Sequence, residues 1–367
     1  MSSVSGIGRR ALGVVAACLY LSGCTAATRL MLDRAIPDFP DWPAPVADLH
    51  DGRDGEIYFA TTTPFDLDVL LRGVEAARPT TGRGHLFLPD TEGSVRGPAM
   101  VLLHGSGGIT PGRELEYGRK LAARGIAAFV IDYYAPRGLT QETPYMLRVL
   151  SVTEFDVVSD AFAALKLLST HPRIDPARIG VAGFSYGGMA ARFALDQRFQ
   201  DILAPDHAGF ALHVDYYGPC FQKLHTGKAH PVPLLTLRGT EDASNDLEAC
   251  RAREAELAAL GVEVESHVYE GAGHAWEAEI PRALQDVPYV TGCEVEYDAT
   301  GRSSLNGSPV TDLSAAATRR ERILARATSG DRMQGCVENG YVVGRDEAVL
   351  ARSDAHLFAF LGRVFGP

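Results

Sequence analysis

From Gly84 onward, short apolar runs alternate with longer amphipathic ones. Residues 84–88, 99–104, 127–132, 179–182, 211–216, 233–237 and 262–269 read as strands. Residues 113–123, 153–169, 186–197, 245–260 and 351–364 read as helices. Strands this apolar, separated by helices of ten or more residues, predict the α/β class, with a mostly parallel sheet covered by helices on both faces. Two stretches break the rhythm. Residues 25–83 are rich in Pro, Asp and Thr, and 37–45 should be extended because proline fixes φ and lacks a donor. Residues 24–81 are therefore expected to be a tether and N-terminal extension, with the α/β domain in 82–367. The second stretch, 287–344, carries Cys293, Cys336, a turn-rich segment at 300–308 and an arginine-rich helix candidate at 313–327. A structureless loop of that length is improbable in a compact domain. An ordered insertion before the last helix is expected, pinned by a disulfide and able to wall a site.

The N-terminus needs a different reading. Arg9 and Arg10 precede an apolar segment, 11–21, that ends in Leu21-Ser22-Gly23-Cys24. It is short for a bilayer span, and the small residues before Cys24 suit a peptidase. The pattern resembles a bacterial lipoprotein signal over 1–23, with lipid on Cys24. An ordinary secretory signal or a buried apolar element are the alternatives. Thr25, rather than an acidic residue, points to the periplasmic side of the outer membrane in the cell envelope. The sequence is acidic, with a net charge of −11 and only four lysines, which argues against nucleic acid as a partner. Setting Cys18 and Cys24 aside leaves Cys220, Cys250, Cys293 and Cys336. In an exported chain these read as two disulfides with three possible connectivities. Cys220 with Cys250 and Cys293 with Cys336 is favoured, each pair bracketing one segment. Free thiols are the alternative. No two of these cysteines have C-x-x-C spacing, which argues against zinc.

The chemistry centres on Gly183-Phe184-Ser185-Tyr186-Gly187. With 38 glycines, a bare G-x-S-x-G arises by chance in roughly one such chain in four. Its place between a strand and a helix is what makes it a nucleophile elbow, where a sharp turn lifts the serine hydroxyl above the sheet. A serine hydroxyl needs a base to become nucleophilic, and the base needs a carboxylate to orient it. Strand 233–237 leads to Gly239-Thr240-Glu241-Asp242, and strand 262–269 leads to Gly271-Ala272-Gly273-His274. Both groups sit at carboxyl ends of strands, where open α/β sheets place their sites. Asp242 is the acid candidate, with Glu241 and Asp246 as rivals and helix capping as its alternative role. His274 is the base, and His207, His213, His225 and His230 lack its strand-end glycine context. Backbone amides are the usual donors to a developing oxyanion. The candidates are Tyr186, after the nucleophile, and Ser106 or Gly107 in His104-Gly105-Ser106-Gly107-Gly108, which has no phosphate-loop pattern. Arg137 with Tyr133 and Tyr134 follows another strand end. Arg137 and Tyr134 are candidates to contact substrate, the cation favouring a carboxylate-bearing ester; the alternative for the arginine is a pair with a local carboxylate.

Together these motifs, with Pro136-Arg137-Gly138, resemble the dienelactone hydrolase family of α/β-hydrolases over residues 82–280 and the terminal helix. The resemblance implies an α/β-hydrolase fold with Ser185 as nucleophile, His274 as base and Asp242 as acid. It also implies oxyanion donation by Tyr186 and by Ser106 or Gly107. Dienelactone hydrolases proper are cytosolic and use a cysteine nucleophile, so the serine, the export signal and the insertion point away from a dienelactone substrate. The expectation is a serine hydrolase of small to medium carboxylic esters or lactones, working through an acyl-enzyme without metal or organic cofactor. Activity should rise with the neutral form of a histidine, near pH ~6.5 for an unperturbed imidazole. A peptidase or thioesterase with the same triad is the enzymatic alternative, and an idle ligand-binding lipoprotein the non-enzymatic one. Oligomeric state is left open.

Overall fold

The computed structural model describes residues 26–90, 96–310, 313, 317–328 and 330–366. The strands in chain order are β1 (Gly55–Thr63), β2 (Arg78–Phe87), β3 (Gly97–Leu103), β4 (Ala127–Ile131), β5 (Ile174–Phe184), β6 (His213–Tyr216), β7 (Gln222–Leu224), β8 (Leu234–Gly239) and β9 (Val264–Tyr269). All but β7 form one sheet, ordered β1-β2-β4-β3-β5-β6-β8-β9. The β1/β2 and β2/β4 pairs are antiparallel and the remaining pairs are parallel. This is the mostly parallel α/β-hydrolase sheet expected from the sequence.

The unbroken apolar runs of the central strands follow from burial on both faces. Val101 and Leu103 of β3 join one core with Phe129 and Ile131 of β4, whereas Met100 and Leu102 join another with Ala128 and Val130. The longer helices are α1 (Ala26–Ala35), α2 (Glu114–Ala122), α3 (Tyr145–Ser151), α4 (Glu154–Leu168), α5 (Tyr186–Phe193), α6 (Gln197–Leu203), α7 (Leu247–Ala259), α8 (Arg319–Thr328) and α9 (Glu347–Phe365). Helices α4 and α5 cover the first face, and α2 and α9 the second. A Thr153/Asp156 capping box starts α4, satisfying end amides that would otherwise be orphaned.

Several boundaries differ from expectation. The stretch read as a tether is largely part of the domain. Leu32 and Ile36, at and just past the end of α1, are buried against Phe65, Leu150, Ile323 and Leu324, and β1 pairs along its whole length with β2. Polar threonines make β1 look unlike a strand, yet Ile57, Phe59, Thr61 and Thr63 alternate inward. The helix expected over 186–197 breaks after Phe193, and Asp196 caps a separate helix, α6. The proposed lipid site, Cys24, lies outside the described residues. Among the described residues no helix is long and apolar enough to cross a membrane.

The described residues of the segment before α9 form short strands and helix α8. β10 (Ala283–Val290) pairs antiparallel with β14 (Val337–Val343). Between them β11 (Val295–Tyr297), β12 (Ser303–Leu305) and β13 (Ser308–Pro309) extend a small sheet that starts at β7. Cys293 is bonded to Cys336, and Cys220 to Cys250, the pairing favoured from the sequence.

Candidate active site

Ser185 follows the last residue of β5 and heads α5 with φ 55° and ψ −117°. A non-glycine residue there is strained by about 1–3 kcal/mol and persists only when its surroundings impose it. They do: Ser185 N–H donates to Tyr216 O at 2.8 Å. A Cβ on Gly183 would lie 2.0 Å from Gly187 O, so no side chain fits inside the turn.

Asp242 follows β8 and is buried. Its Oδ2 lies 2.6 Å from His274 Nδ1. Asn245 Nδ2 donates to the same oxygen at 3.0 Å, and Ser244 donates to Oδ1 through Oγ at 2.5 Å and N–H at 3.1 Å. With Nδ1 donating, Nε2 is left as the acceptor. The rival carboxylates are otherwise engaged. Asp246 caps α7 by accepting from Glu248 and Ala249 N–H, and exposed Glu241 pairs with Arg282. A buried network supports the acid from below: Arg238 binds Asp215, Glu254 and Asn245, whose amide in turn reaches Asp242.

The His274 loop is gripped by the insertion. His274 N–H donates to Val342 O at 2.7 Å, and His274 O accepts from Gly344 N–H at 2.9 Å. A Cβ on Gly273 would fall 2.5 Å from Val342 O, so this close approach requires glycine. The imidazole sits 4.4 Å from the Tyr217 ring and 5.4 Å from that of Tyr341. No hydrogen bond joins Ser185 to His274 among the described residues. Ser185 opens on the same cavity as Ser244 and Tyr341, the neighbours of the imidazole.

That cavity is about 1220 Å³. Ser106, Ser185, Tyr186 and Ser244 line it, and the insertion supplies apolar walls such as Val290, Val295 and Met333. Tyr186 and Tyr297 both donate to buried Glu154, at 2.6 and 2.8 Å, tying the insertion to the elbow. Arg326 also lines the cavity. Burial opposes its charge, but Tyr186, Glu154 and Tyr297 hold its pKa above the ordinary value.

The glycine-rich loop after β3 runs against the nucleophile: a Cβ on Gly105 would lie 3.3 Å from Ser185 Cβ. Tyr133 OH donates to His104 O and Gly105 O, Tyr134 OH to Ser106 O at 2.9 Å, and Arg148 to Gly107 O at 2.8 Å. Among the described residues no acceptor faces the N–H of Ser106 or Gly107. Ser106 lines the cavity. Tyr186, as the first residue of α5, has an N–H without a partner inside the helix. Buried His104 stacks on Tyr133 at 3.5 Å, and burial depresses its pKa to about 4.

Arg137 does not face the cavity. It is fully buried and donates to Asp160 at 2.7 and 3.2 Å, so the substrate-contact expectation is replaced by the local-pair alternative. Tyr134 likewise points its hydroxyl at Ser106 O and acts on the loop from behind. Sequence reasoning did not find Ser244, Asn245, Tyr145 or Glu154. Ser244 and Asn245 stand two and three residues after Asp242, in the local turn it opens, and were readable; Tyr145 and Glu154 meet the site only through tertiary packing. Among the described residues no group of three or more His, Cys, Asp or Glu could hold a metal ion.

The sequence model of the dienelactone hydrolase family matches residues 83–301. No curated protein matches the chain. Among solved structures, propionate-bound esterase 2 of the planctomycete Thermogutta terrifontis is 18% identical with a TM-score of 0.43, the alignment covering 53% of this chain and 80% of that one. The apo form of the same esterase gives 17% identity and a TM-score of 0.45, over 65% of this chain and 88% of that one.

Proposed function

Because the match spans more than half of its length, the chain belongs to the dienelactone hydrolase family, and from that premise we propose that Ser185, His274 and Asp242 cleave carboxylic esters through an acyl-enzyme. The protein is a hydrolase acting on ester bonds of small molecules. The observation that carries the triad reading is the 2.6 Å bond between His274 and buried Asp242, beside the cavity on which the strained Ser185 opens.

In this reading His274 Nε2 accepts the Ser185 proton as Oγ attacks the ester carbonyl, and Asp242 stabilises the resulting imidazolium. The amides of Tyr186 and of Ser106 or Gly107 stabilise the oxyanion. His274 then protonates the departing alcohol. Water, deprotonated by the same imidazole, releases the acid. A cavity of about 1220 Å³ with apolar walls exceeds what a short ester fills, which supports acyl or alcohol groups of medium size.

The test is hydrolysis of short p-nitrophenyl esters by the disulfide-bonded protein beside Ser185→Ala. Turnover should fall to background in the variant; equal turnover would reject Ser185. A folded wild type that binds esters without cleaving them would favour the ligand-binding alternative. We also propose that Cys24 carries lipid and holds the enzyme in the bacterial cell envelope, on the periplasmic side of the outer membrane. Cys24→Ser should then move the protein from the membrane to the soluble fraction; unchanged membrane fractionation would reject it.

A further inference from the structure

We propose that the Tyr145 hydroxyl donates a third hydrogen bond to the substrate carbonyl oxygen as it becomes negative during attack by Ser185. This rests on the serine-hydrolase reading above. It involves no proton transfer: the O–H bond stays intact while its dipole meets the growing charge.

Proton accounting at the loop leads to Tyr145. The carbonyls of residues 104 to 107 are each engaged by Tyr133, Tyr134 or Arg148. Fixed in this way, the loop leaves the N–H groups of Ser106 and Gly107, rather than its carbonyls, without partners among the described residues. The Ser106 side chain follows the same pattern. Its Oγ lies 3.0 Å from Tyr145 OH, and either atom could donate. Two hydroxyls carry two protons, and their mutual bond uses one. Neither has another acceptor among the described residues, and both line the cavity that holds Ser185. The second proton therefore has the cavity to turn toward.

Which hydroxyl offers it follows from acidity. A phenol, with pKa about 10, is a far stronger acid than an aliphatic alcohol and hence the better donor to a developing anion. When Ser106 donates to Tyr145 and Tyr145 donates onward, the two bonds also polarise each other. Burial raises the Tyr145 pKa, which keeps its proton in place. Position fits as well. A Cβ on Gly105 would lie 3.3 Å from Ser185 Cβ, Ser106 is the next residue, and Tyr145 is fixed at the first position of α3 after Pro144.

Tyr145→Phe removes the hydroxyl and keeps the ring. With a short p-nitrophenyl ester, kcat should fall by about 10- to 100-fold while KM moves by less than about 3-fold, the signature of an interaction made chiefly in the transition state. Binding of a trifluoromethyl ketone, which adds Ser185 to form a charged hemiketal, should weaken by the same factor. Ser106→Ala should give a smaller loss, because it removes only the neighbour that polarises Tyr145. A Tyr145→Phe protein with unchanged thermal unfolding whose kcat stays within about 2-fold of wild type overturns the proposal. A lower kcat with undiminished ketone affinity overturns it too, by moving the role of Tyr145 away from the oxyanion. Ester turnover retained by Ser185→Ala would instead remove the reading on which the proposal rests.

Discussion

Arg137 occupies a strand-end motif, yet its guanidinium points into the protein and pairs with Asp160 where water does not reach. Removing one partner of such a pair leaves a buried charge uncompensated, at a cost of about 3–5 kcal/mol. Arg137→Ala should therefore lower the midpoint of urea unfolding strongly, while kcat of the folded fraction stays near wild type. A KM change with full stability would contradict this assignment. The contrast between Arg137 and the triad candidates explains what was legible in single residues. Ser185, Asp242 and His274 announce themselves because a tight glycine turn after an apolar run constrains where a side chain points. Arg137 has no such constraint, since its orientation depends on a carboxylate 23 positions away on α4. Tyr145 was invisible for the same reason, its partner Ser106 being 39 positions away.

The insertion acts at the scale of elements. Val342 of its strand β14 and Gly344 just after it hold the His274 backbone, and its β11 reaches Glu154 beside Tyr186 through Tyr297. The Cys293–Cys336 bond joins the segment after β10 to the residue before β14. In the chain-entropy model, a closed loop of this length is worth about 4 kcal/mol. Cys293→Ser with Cys336→Ser should lower stability and also reduce kcat, with far-UV circular dichroism of the main sheet retained. Undiminished kcat in that variant would show that the β14 contacts do not depend on the bond. The strand and helix pattern of the main sheet was readable because doubly covered strands leave short unbroken apolar runs between amphipathic helices. β1 was not, since threonines at its inward positions satisfy a half-polar interface that hydropathy alone does not reveal. The insertion strands are either two or three residues long or, in β10 and β14, mostly exposed or half-buried, so none carries an apolar run.

For the whole molecule, the docking of α1 changes what a lipid anchor would do. Leu32 and Ile36 are buried in the domain, so few residues separate them from Cys24. Even fully extended at about 3.5 Å per residue, that link would reach less than about 30 Å. If lipid is attached there, the catalytic domain is held close to the bilayer and not on a long tether. The same compactness makes the cavity a joint product of sheet, loop and insertion. In the proposed mechanism one residue in this cavity, Ser185, forms the covalent bond to substrate. The most direct measurement is peptide mapping by mass spectrometry after labelling the full-length, disulfide-bonded protein with a fluorophosphonate. A single adduct on Ser185, formed in step with loss of ester turnover and absent from His274→Ala, is the predicted result. An adduct on another residue, or full loss of turnover without modification of Ser185, would contradict it.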